Sequence, residues 1–408
     1  MSNLVPEGWF TDILNDKVDI LSGFPFKSSM FTDDERQIGL IRIRDLTKQH
    51  LNTFYCGEFD DEFVVKKGDV LIGMDGDFTI VKWNSDAALL NQRICKVQAS
   101  LDTKFDTDFL FYFLQPKLEL IHSATGATTV KHLSVKDIRG IESVFPPLPE
   151  QKKIAAILTS VDDVIEKTQA QIDKLKDLKT GMMQELLTRG VGVDGKPHTE
   201  FKDSPVGKIP KGWDFCLLDK VAKRGSGHTP GKKKPEYWND GVKWVSLTDS
   251  SKLDKLYISD TAKKISQLGI ENSSATLHPK GTVVMARDAG VGKSAIMTSS
   301  MAVSQHFMAW VCGEKLDNYF LYYLLQYWKP QFEAIAIGST IKTIGLPYFK
   351  KLQIPVPSIE EQRVISGALK SVDNKMFALE RKHKQLTSTK KALMQDLLTG
   401  KVRVKVGG

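Results

Sequence analysis

The sequence of 408 residues contains no long hydrophobic run and few cysteines. It has no apolar stretch near the roughly 18 residues that a membrane-spanning helix needs, and its first residues are polar, unlike a secretory signal. We therefore expect a cytoplasmic protein with no membrane partner. The four cysteines, Cys56, Cys95, Cys216 and Cys312, form no C-x-x-C pair. A zinc site or a disulfide framework is not expected, and we interpret them as reduced structural thiols.

The sequence also lacks a complete catalytic motif. Residues 289–294 end in Gly-Lys-Ser like a phosphate-binding loop, but Arg287 stands where that motif requires its first glycine. We interpret the segment as a glycine-rich turn between strands at 283–286 and 294–297. The glycine-rich cofactor loop and the Asn/Asp-Pro-Pro-aromatic tetrad of amino-methyltransferases are absent, and the eight histidines show no metal-binding spacing. We predict no catalytic residue and no metal site.

The composition is typical of a folded, basic protein. The chain is too long for one core and fits two domains of about 150 residues each with connecting elements. Hydrophobic residues make up 41% and charged residues 26%, so each half can bury a core of its own. The net charge of +8 permits a polyanionic partner without proving one.

One long segment occurs twice. Residues 145–165 align with residues 356–376, and residues 182–191 align with residues 393–402 in the same register. A repeat of this length is a structural unit used twice, so the predicted order is domain, helix, domain, helix. Weaker similarities precede each copy: residues 66–77 parallel 279–290, NQR at 91–93 parallels SQH at 304–306, and FLFYFLQ at 109–115 parallels FLYYLLQ at 320–326.

Each copy predicts one long amphipathic helix. From 150 to 187 there is no proline and Gly181 is the only glycine, while apolar residues recur at alternating steps of four and three, as in a heptad seam. The weak seam positions, where we expect the register to be set, are Thr168, Lys179, His383 and Lys390. The apolar seam residues are Ile154, Leu158, Val161, Ile165, Ile172, Leu175, Met182, Leu186, Ile365, Leu369, Val372, Met376, Leu379, Leu386, Leu393 and Leu397.

We expect these two helices to pair with each other as an antiparallel coiled coil. Each has about 38 residues and is about 57 Å long, which is too long to cover its apolar stripe against one small domain. The alternative is that each helix packs only on its own domain, but a strict seven-residue period over five heptads favours a coiled coil. The predicted fold class is α+β, with two globular domains related by internal duplication and separated by the helices.

The motifs together resemble the specificity subunit of type I restriction-modification enzymes. They are Pro-x-x-x-Glu-Gln at the start of each long helix, Met-Gln-x-Leu-Leu-Thr near its end, and Pro-x-Gly-Trp at the opening of each domain. The resemblance covers nearly the whole chain. It implies target-recognition domain 1 at 1–148, a coiled-coil helix at 149–190, a linker at 191–208, target-recognition domain 2 at 209–357, a second coiled-coil helix at 358–400 and a basic tail at 401–408.

The resemblance implies a non-catalytic DNA-binding protein. Each domain would read one half of a bipartite, asymmetric site in double-stranded DNA, while the helices would set the spacer and dock two methyltransferase subunits. Restriction subunits, which supply motor and nuclease activity, would complete the complex. We expect no cofactor in this chain, because S-adenosylmethionine, ATP and Mg²⁺ would be bound only by the partner subunits.

Both predicted domains carry cations and hydrogen-bonding side chains in matching places, as DNA recognition needs. A turn rich in glycine and threonine precedes a basic residue in each domain, at 126–134 and 338–346, and can offer backbone N–H groups to a phosphate. The candidate DNA-binding residues are Lys27, Arg42, Arg44, Arg93, Lys131, His132, Lys232, Lys233, Lys234, Tyr237, Arg287, Lys293, His306 and Lys342.

Two other functions are compatible with the residues. One is a non-catalytic coiled-coil adaptor that binds proteins rather than DNA, which a negligible affinity of the assembled complex for duplex DNA would favour. The other is a self-contained enzyme with an unrecognised active site, which methylation or cleavage of DNA by the chain alone would favour.

Overall fold

The computed structural model of the protein describes residues 5–48, 50–101, 103–126, 130–338 and 341–406, with only the backbone at residues 239–240. The chain divides into two compact units. Unit 1 contains Met1–Thr168 and Lys382–Gly408, and unit 2 contains Gln169–Arg381. Each unit therefore includes one predicted domain and a part of both predicted long helices.

Unit 1 combines helices with three small sheets. Their strand orders are β2-β10-β7-β8, β3-β5-β4-β9-β6 and β1-β11, where the strands are β1 (Phe10–Ile13), β2 (Val18–Ser22), β3 (Phe31–Thr32), β4 (Ile38–Ile41), β5 (Phe54–Tyr55), β6 (Val64–Val65), β7 (Val70–Gly73), β8 (Ile80–Lys82), β9 (Ala88–Leu90), β10 (Ile94–Ala99) and β11 (Glu142–Phe145). The helices before the first long one are α1 (Thr107–Ala124) and α2 (Val135–Arg139). Strands β7 and β9 are short continuous apolar runs, and every residue in them is buried.

Helix α1 provides much of the core of unit 1. Asp106 caps its N-terminus by accepting a hydrogen bond from the Phe109 amide at 2.9 Å. Its apolar face, including Phe109 and Phe113, packs in one cluster with Phe145 of β11 and with Ile154. The core of the domain thus reaches the first turns of the long helix that follows β11.

Unit 2 repeats this mixed architecture. Its strand orders are β15-β23-β20-β21-β17, β18-β16-β22-β19, β14-β24 and β12-β13, where the strands are β12 (Phe201–Ser204), β13 (Gly207–Pro210), β14 (Asp214–Leu217), β15 (Ala222–Ser226), β16 (Trp238–Val245), β17 (Tyr257–Ile258), β18 (Lys263–Ile265), β19 (Leu277–His278), β20 (Val283–Ala286), β21 (Ser294–Met297), β22 (Met301–Val303), β23 (Phe307–Cys312) and β24 (Gln353–Val356). Unit 2 also holds the short helices α4 (Gln267–Glu271), α5 (Asn318–Tyr327), α6 (Lys329–Ile335) and α7 (Leu346–Lys350). The two long helices are α3 (Leu148–Thr188) and α8 (Ile359–Leu398).

Both long helices lie within two residues of their predicted bounds. In unit 1, Asp162 of α3 lies 2.7 Å from Lys390 of α8. Glu150, at the start of α3, lies 2.9 Å from Arg403, which follows the end of α8. The two helix segments therefore run in opposite directions, and the corresponding pairs in unit 2 give the same result. The predicted antiparallel coiled coil is confirmed.

The apolar seam is buried or half-buried at every predicted position of both helices. The first two seam residues of each helix are inaccessible to solvent and belong to the domain cores, Ile154 and Leu158 in unit 1 and Ile365 and Leu369 in unit 2. The first turns therefore pack on a domain, as the alternative interpretation expected.

A tyrosine, an aspartate and a lysine fix the register of the coiled coil in each unit. In unit 2, the Tyr323 hydroxyl donates a hydrogen bond to Asp373 Oδ2 at 2.7 Å, and Lys179 Nζ lies 2.6 Å from Asp373 Oδ1 and 5.5 Å from the centre of the Tyr323 ring. Burial raises the pKa of Tyr323, so its hydroxyl remains a donor. Unit 1 has the equivalent triad of Tyr112, Asp162 and Lys390, with distances of 2.8, 2.7 and 5.4 Å.

The glutamine of the Pro-x-x-x-Glu-Gln motif joins each domain to its long helix. Gln151 Oε1 accepts a hydrogen bond from the Asp106 amide at 3.0 Å, and its Nε2 donates to the carbonyls of Lys104 and Pro146 at 2.8 and 2.9 Å. Gln362 makes the three equivalent bonds in unit 2. Because Asp106 also caps α1, the Gln151 side chain connects α1, the start of the long helix and the loop that contains Lys104.

The predicted linker at 191–208 contacts the start of α8. Strands β12 and β13 form a hairpin that begins inside it. Glu361 at the start of α8 is buried and needs donors, and the linker supplies the Val191 amide at 3.2 Å and His198 Nε2 at 2.8 Å. Trp213 Nε1 adds a third donor at 3.0 Å.

The described part of the predicted basic tail at 401–408 contacts the start of α3. Glu150 at the start of α3 is buried, and it accepts hydrogen bonds from Arg403 Nε and Nη2, both at 2.9 Å, from the Val404 amide at 3.3 Å and from Trp9 Nε1 at 3.1 Å. Each Pro-x-Gly-Trp motif thus contacts the glutamate of a Pro-x-x-x-Glu-Gln motif. These contacts explain why both motifs occur twice.

Candidate nucleic-acid interface

A buried carboxylate organises the candidate residues of unit 2. Asp288 follows strand β20, and its side chain lies 2.7 Å from His306 Nδ1 and 3.5 Å from Arg287 Nε. Thr343 also donates a hydrogen bond to it. The structure therefore brings together two of the predicted residues, Arg287 and His306, around an acid that was not predicted.

Unit 1 has an equivalent cluster around Asp75, which follows strand β7. His132 Nδ1 lies 2.7 Å from the Asp75 carboxylate and Arg93 Nε lies 3.7 Å from it. Arg93 and His132 are more than half exposed, whereas Asp75 is 25% exposed. Asp75 holds both side chains while leaving them accessible.

The cluster of unit 2 adjoins an open cleft of about 490 Å³. Trp238 and Trp244 line it with ring centres 5.2 Å apart and planes at 84°, and the Trp244 indole N–H already donates to the His228 carbonyl at 3.1 Å. Lys232 and the turn at 304–306 also line the cleft. Aromatic faces next to cations and amide groups suit nucleic acid.

The remaining candidates of unit 2 differ in accessibility. Lys232, Lys233 and Lys342 are exposed, and Lys293 is half-buried. Tyr237 is buried, and Lys234 Nζ donates to its hydroxyl at 3.1 Å. The ring of Tyr237 is therefore packed within unit 2, and its contact with DNA stays a prediction.

The remaining candidates of unit 1 are more scattered. Lys27 and Arg44 are exposed, and Arg42 is half-buried with its guanidinium 5.3 Å from the centre of the Phe31 ring. Lys131 Nζ is half-buried and donates to the His122 carbonyl, so it is engaged within unit 1. Of the two predicted glycine and threonine turns, residues 127–129 and 339–340 lie outside the described residues.

The interpretation of residues 289–294 as a turn is confirmed. Strands β20 and β21 pair antiparallel on either side of it with the predicted bounds. Gly290 and Gly292 have φ values of 110° and 84°, which glycine adopts without cost, and Ala289 also has a positive φ of 49°, which is uncommon for a residue other than glycine.

The four cysteines are free. Burial raises the pKa of the Cys95 and Cys312 thiols to about 12, so both stay protonated and inert. Among the described residues, no group of histidine, cysteine and acidic side chains could hold a metal ion. Over the same residues, no helix is long and apolar enough to span a membrane.

Asp75 and Asp288 were not among the predicted residues. Both lie at equivalent places in the repeats at 66–77 and 279–290, so the signal was present as a shared aspartate. A carboxylate is unfavourable near phosphates, and only the structure shows that its role is to hold neighbouring side chains.

The fold defines an internally duplicated protein with two mixed α/β units and an antiparallel coiled coil, and comparisons with known proteins identify its family. The family model described as "Type I restriction modification DNA specificity domain" matches residues 16–177 and again residues 210–387. The chain is 30% identical over 416 residues to the specificity subunit of the type I restriction enzyme MjaVIII of Methanocaldococcus jannaschii, covering 98% of this chain and 94% of the relative. It is 28% identical over 380 residues to the EcoBI specificity subunit of Escherichia coli, covering 88% and 78%.

Solved structures agree on the fold. The S subunit of a type I restriction-modification system from M. genitalium superposes with a TM-score of 0.64 at 14% identity, over 95% of this chain and 96% of that one. The chain belongs to the specificity subunits of type I restriction-modification enzymes. Such subunits recognise DNA and are not themselves catalytic, and they assemble with methylase and restriction subunits.

Proposed function

We propose that this chain reads a bipartite, asymmetric DNA site with one domain for each half-site. The observation that carries the proposal is the duplicated cluster, Asp75 with Arg93 and His132 in unit 1 and Asp288 with Arg287 and His306 in unit 2. The two clusters share a frame but present different side chains. A shared frame with different surface groups is suited to reading two different sequences.

Exposed cations supply the attraction to the phosphate backbone in this proposal. The exposed residues among the candidates are Lys27, Arg44, Arg93, His132, Lys232, Lys233, Lys234 and Lys342. Arg42, Arg287, Lys293 and His306 are half-buried and present less of their side chains to DNA. Lys131 and Tyr237 contribute indirectly, because their polar groups are already bonded within the protein.

The long helices α3 and α8 set the gap between the half-sites and dock two methyltransferase subunits. Fixed register supports the role as a spacer, since the triads at Asp162 and Asp373 prevent the helices from sliding. S-adenosylmethionine, ATP and Mg²⁺ belong to the methyltransferase and restriction subunits. The complex acts on cellular DNA, which places it in the cytoplasm.

The alternative of an adaptor that binds proteins rather than DNA finds no support in the family match. It would leave the paired cation clusters without a role. Measurable affinity of the assembled complex for duplex DNA separates the two functions.

Exchange of one domain tests the proposal. Residues 209–357 are replaced by the equivalent domain of a relative with a different site, and methylated adenines are sequenced in cells that carry the partner methyltransferase. We expect one half of the methylated site to change and the other half to stay the same. A change in both halves would contradict one domain per half-site. The control is the matching exchange of residues 1–148, which should change the opposite half.

A further inference from the structure

The two domains place one short turn at the same point of their frames. In unit 1 the turn of Asn91, Gln92 and Arg93 joins strands β9 and β10, and in unit 2 the turn of residues 304–306 joins β22 and β23. Each third residue contacts the organising carboxylate, Asp75 or Asp288. The turns therefore lie inside the two clusters described above.

The first residue of each turn carries an unpaired polar atom. Ser304 is 1% exposed, and neither its Oγ nor Asn91 Oδ1 has a hydrogen-bond partner among the described residues. Ser304 also lines the cleft of unit 2. Buried polar atoms without partners are rare, and the two stand at equivalent positions of both repeats.

The second residue of each turn is an exposed glutamine. In unit 2, the Thr229 hydroxyl donates to Gln305 Oε1 at 2.5 Å, which orients the amide and leaves its N–H groups outward. Gln92 is exposed in the equivalent place. A glutamine amide can donate to adenine N7 and accept from adenine N6, so it distinguishes this base in the major groove.

The third residue differs between the turns. Arg93 has a φ of 72°, a backbone conformation that is uncommon for a residue other than glycine, and its guanidinium is 58% exposed. Arginine donates to guanine O6 and N7. In unit 2 the equivalent residue is His306, whose Nδ1 faces Asp288 and whose Nε2 is left for another partner.

We infer that these two turns carry base-reading side chains, with Gln92 and Arg93 reading one half-site and Gln305 and His306 the other. Asp75 and Asp288 are positioning residues that hold the third side chain of each turn. The ligand is the major-groove edge of a base pair, with adenine matched to the glutamines and guanine to Arg93. This inference rests on the proposed reading of DNA by both domains and adds which residues distinguish the bases.

The first test measures base discrimination by Gln305. The complex with methyltransferase subunits is titrated with a duplex carrying the site that methylated adenines define in cells, and with every single-base variant of it. We expect Gln305→Ala to lose about 5- to 150-fold discrimination at one base pair of the unit 2 half-site, with the salt dependence unchanged. Gln267→Ala, at another exposed glutamine of unit 2, is the control and should change neither quantity.

Two other results of the Gln305→Ala titration can be distinguished from the expected one. A uniform loss of affinity over all variants, with a smaller salt dependence, would mean that Gln305 contacts only a phosphate, and unchanged binding would mean that the turn lies away from DNA. Either result overturns the inference. If the unmodified complex shows no preference among the duplexes, the proposed function itself fails.

The second test separates positioning from structural support. Asp75→Asn removes a negative charge, so we expect affinity for non-specific duplex to stay the same or rise while discrimination at the base pair read by Arg93 falls at least several-fold. Asp77→Asn makes the same charge change at an exposed neighbour and should leave discrimination intact. If Asp75→Asn reduced both quantities together, the residue would be structural and the inference wrong.

Discussion

The pair of Lys179 and Asp373 should stabilise the coiled coil far more than an exposed pair on the same helix. The side chains of Lys179 and Asp373 are only 21% and 16% exposed, with Nζ 2.6 Å from the carboxylate. Asp373 also accepts the hydrogen bond of Tyr323. Lys176 and Asp173 form a comparison pair on α3 at 3.0 Å, with side chains 52% and 54% exposed.

The expected magnitude follows from burial. Hydrogen bonds to charged groups contribute about 1.5–3 kcal/mol, whereas exposed ion pairs contribute about 0.2–1 kcal/mol because water and salt screen them. A double-mutant cycle of Lys179→Met and Asp373→Asn should therefore give a coupling energy of about 1.5–3 kcal/mol. The same cycle at Lys176 and Asp173 should give about 0.5 kcal/mol or less.

Hydrogen exchange of backbone amides measures this coupling locally, which matters because a chain of two units does not unfold in one step. The coupling energy corresponds to a factor of about 10 to 150 in the protection of α8 peptides around Asp373, since 1.4 kcal/mol corresponds to a factor of ten. Peptides of unit 1 should be unaffected. Equal coupling energies at the buried and exposed pairs would refute the role of the triad in fixing the register.

Three further outcomes are expected. Arg403→Ala should destabilise unit 1 by about 1–3 kcal/mol at pH 7. Burial raises the pKa of Glu150, but the hydrogen bonds from Arg403 and the Val404 amide outweigh the effect of burial and hold this pKa below the usual 4.5. The stabilisation is therefore full above pH 4.5 and is lost as pH falls through the lowered pKa. Hydrogen exchange at several pH values checks this pH dependence. Insertion of four residues near Thr168 adds about 6 Å and should lengthen the gap in the methylated site while both half-sites stay the same; an unchanged gap with full activity would contradict the spacer role. Lys293→Ala should leave ATP hydrolysis by the assembled complex intact apart from weaker DNA binding, and ATP hydrolysis by the purified chain alone would contradict the turn interpretation.

The long helices could be predicted from the sequence because a heptad seam is a local, periodic signal. Their bounds and their antiparallel pairing follow from spacing and length alone. The weak seam positions Lys179 and Lys390 were expected to set the register, and both form the ion pairs of the triads. The acid partners and tyrosines could not be assigned, since they depend on which face of α1 or α5 meets the helix.

The residue types of the candidate interface could be predicted from the sequence, but the way in which their side chains are arranged could not. Basic residues in matching repeats pointed to two clusters, and Arg93 and His306 lie at equivalent places in them. The burial of Tyr237 could not be predicted because a polar aromatic residue next to lysines is equally suited to a surface and to a core. The docked segments after each long helix were also missed, since the buried carboxylates of Glu150 and Glu361 that hold them become apparent only in three dimensions.

Sequencing of methylated adenines in cells that carry this chain and its partner methyltransferase shows whether the two domains read two separate half-sites. We expect one bipartite motif, with two different specified half-sites separated by a gap of fixed length and unspecified sequence. A single continuous motif, a gap of variable length, or methylation without sequence preference would contradict it.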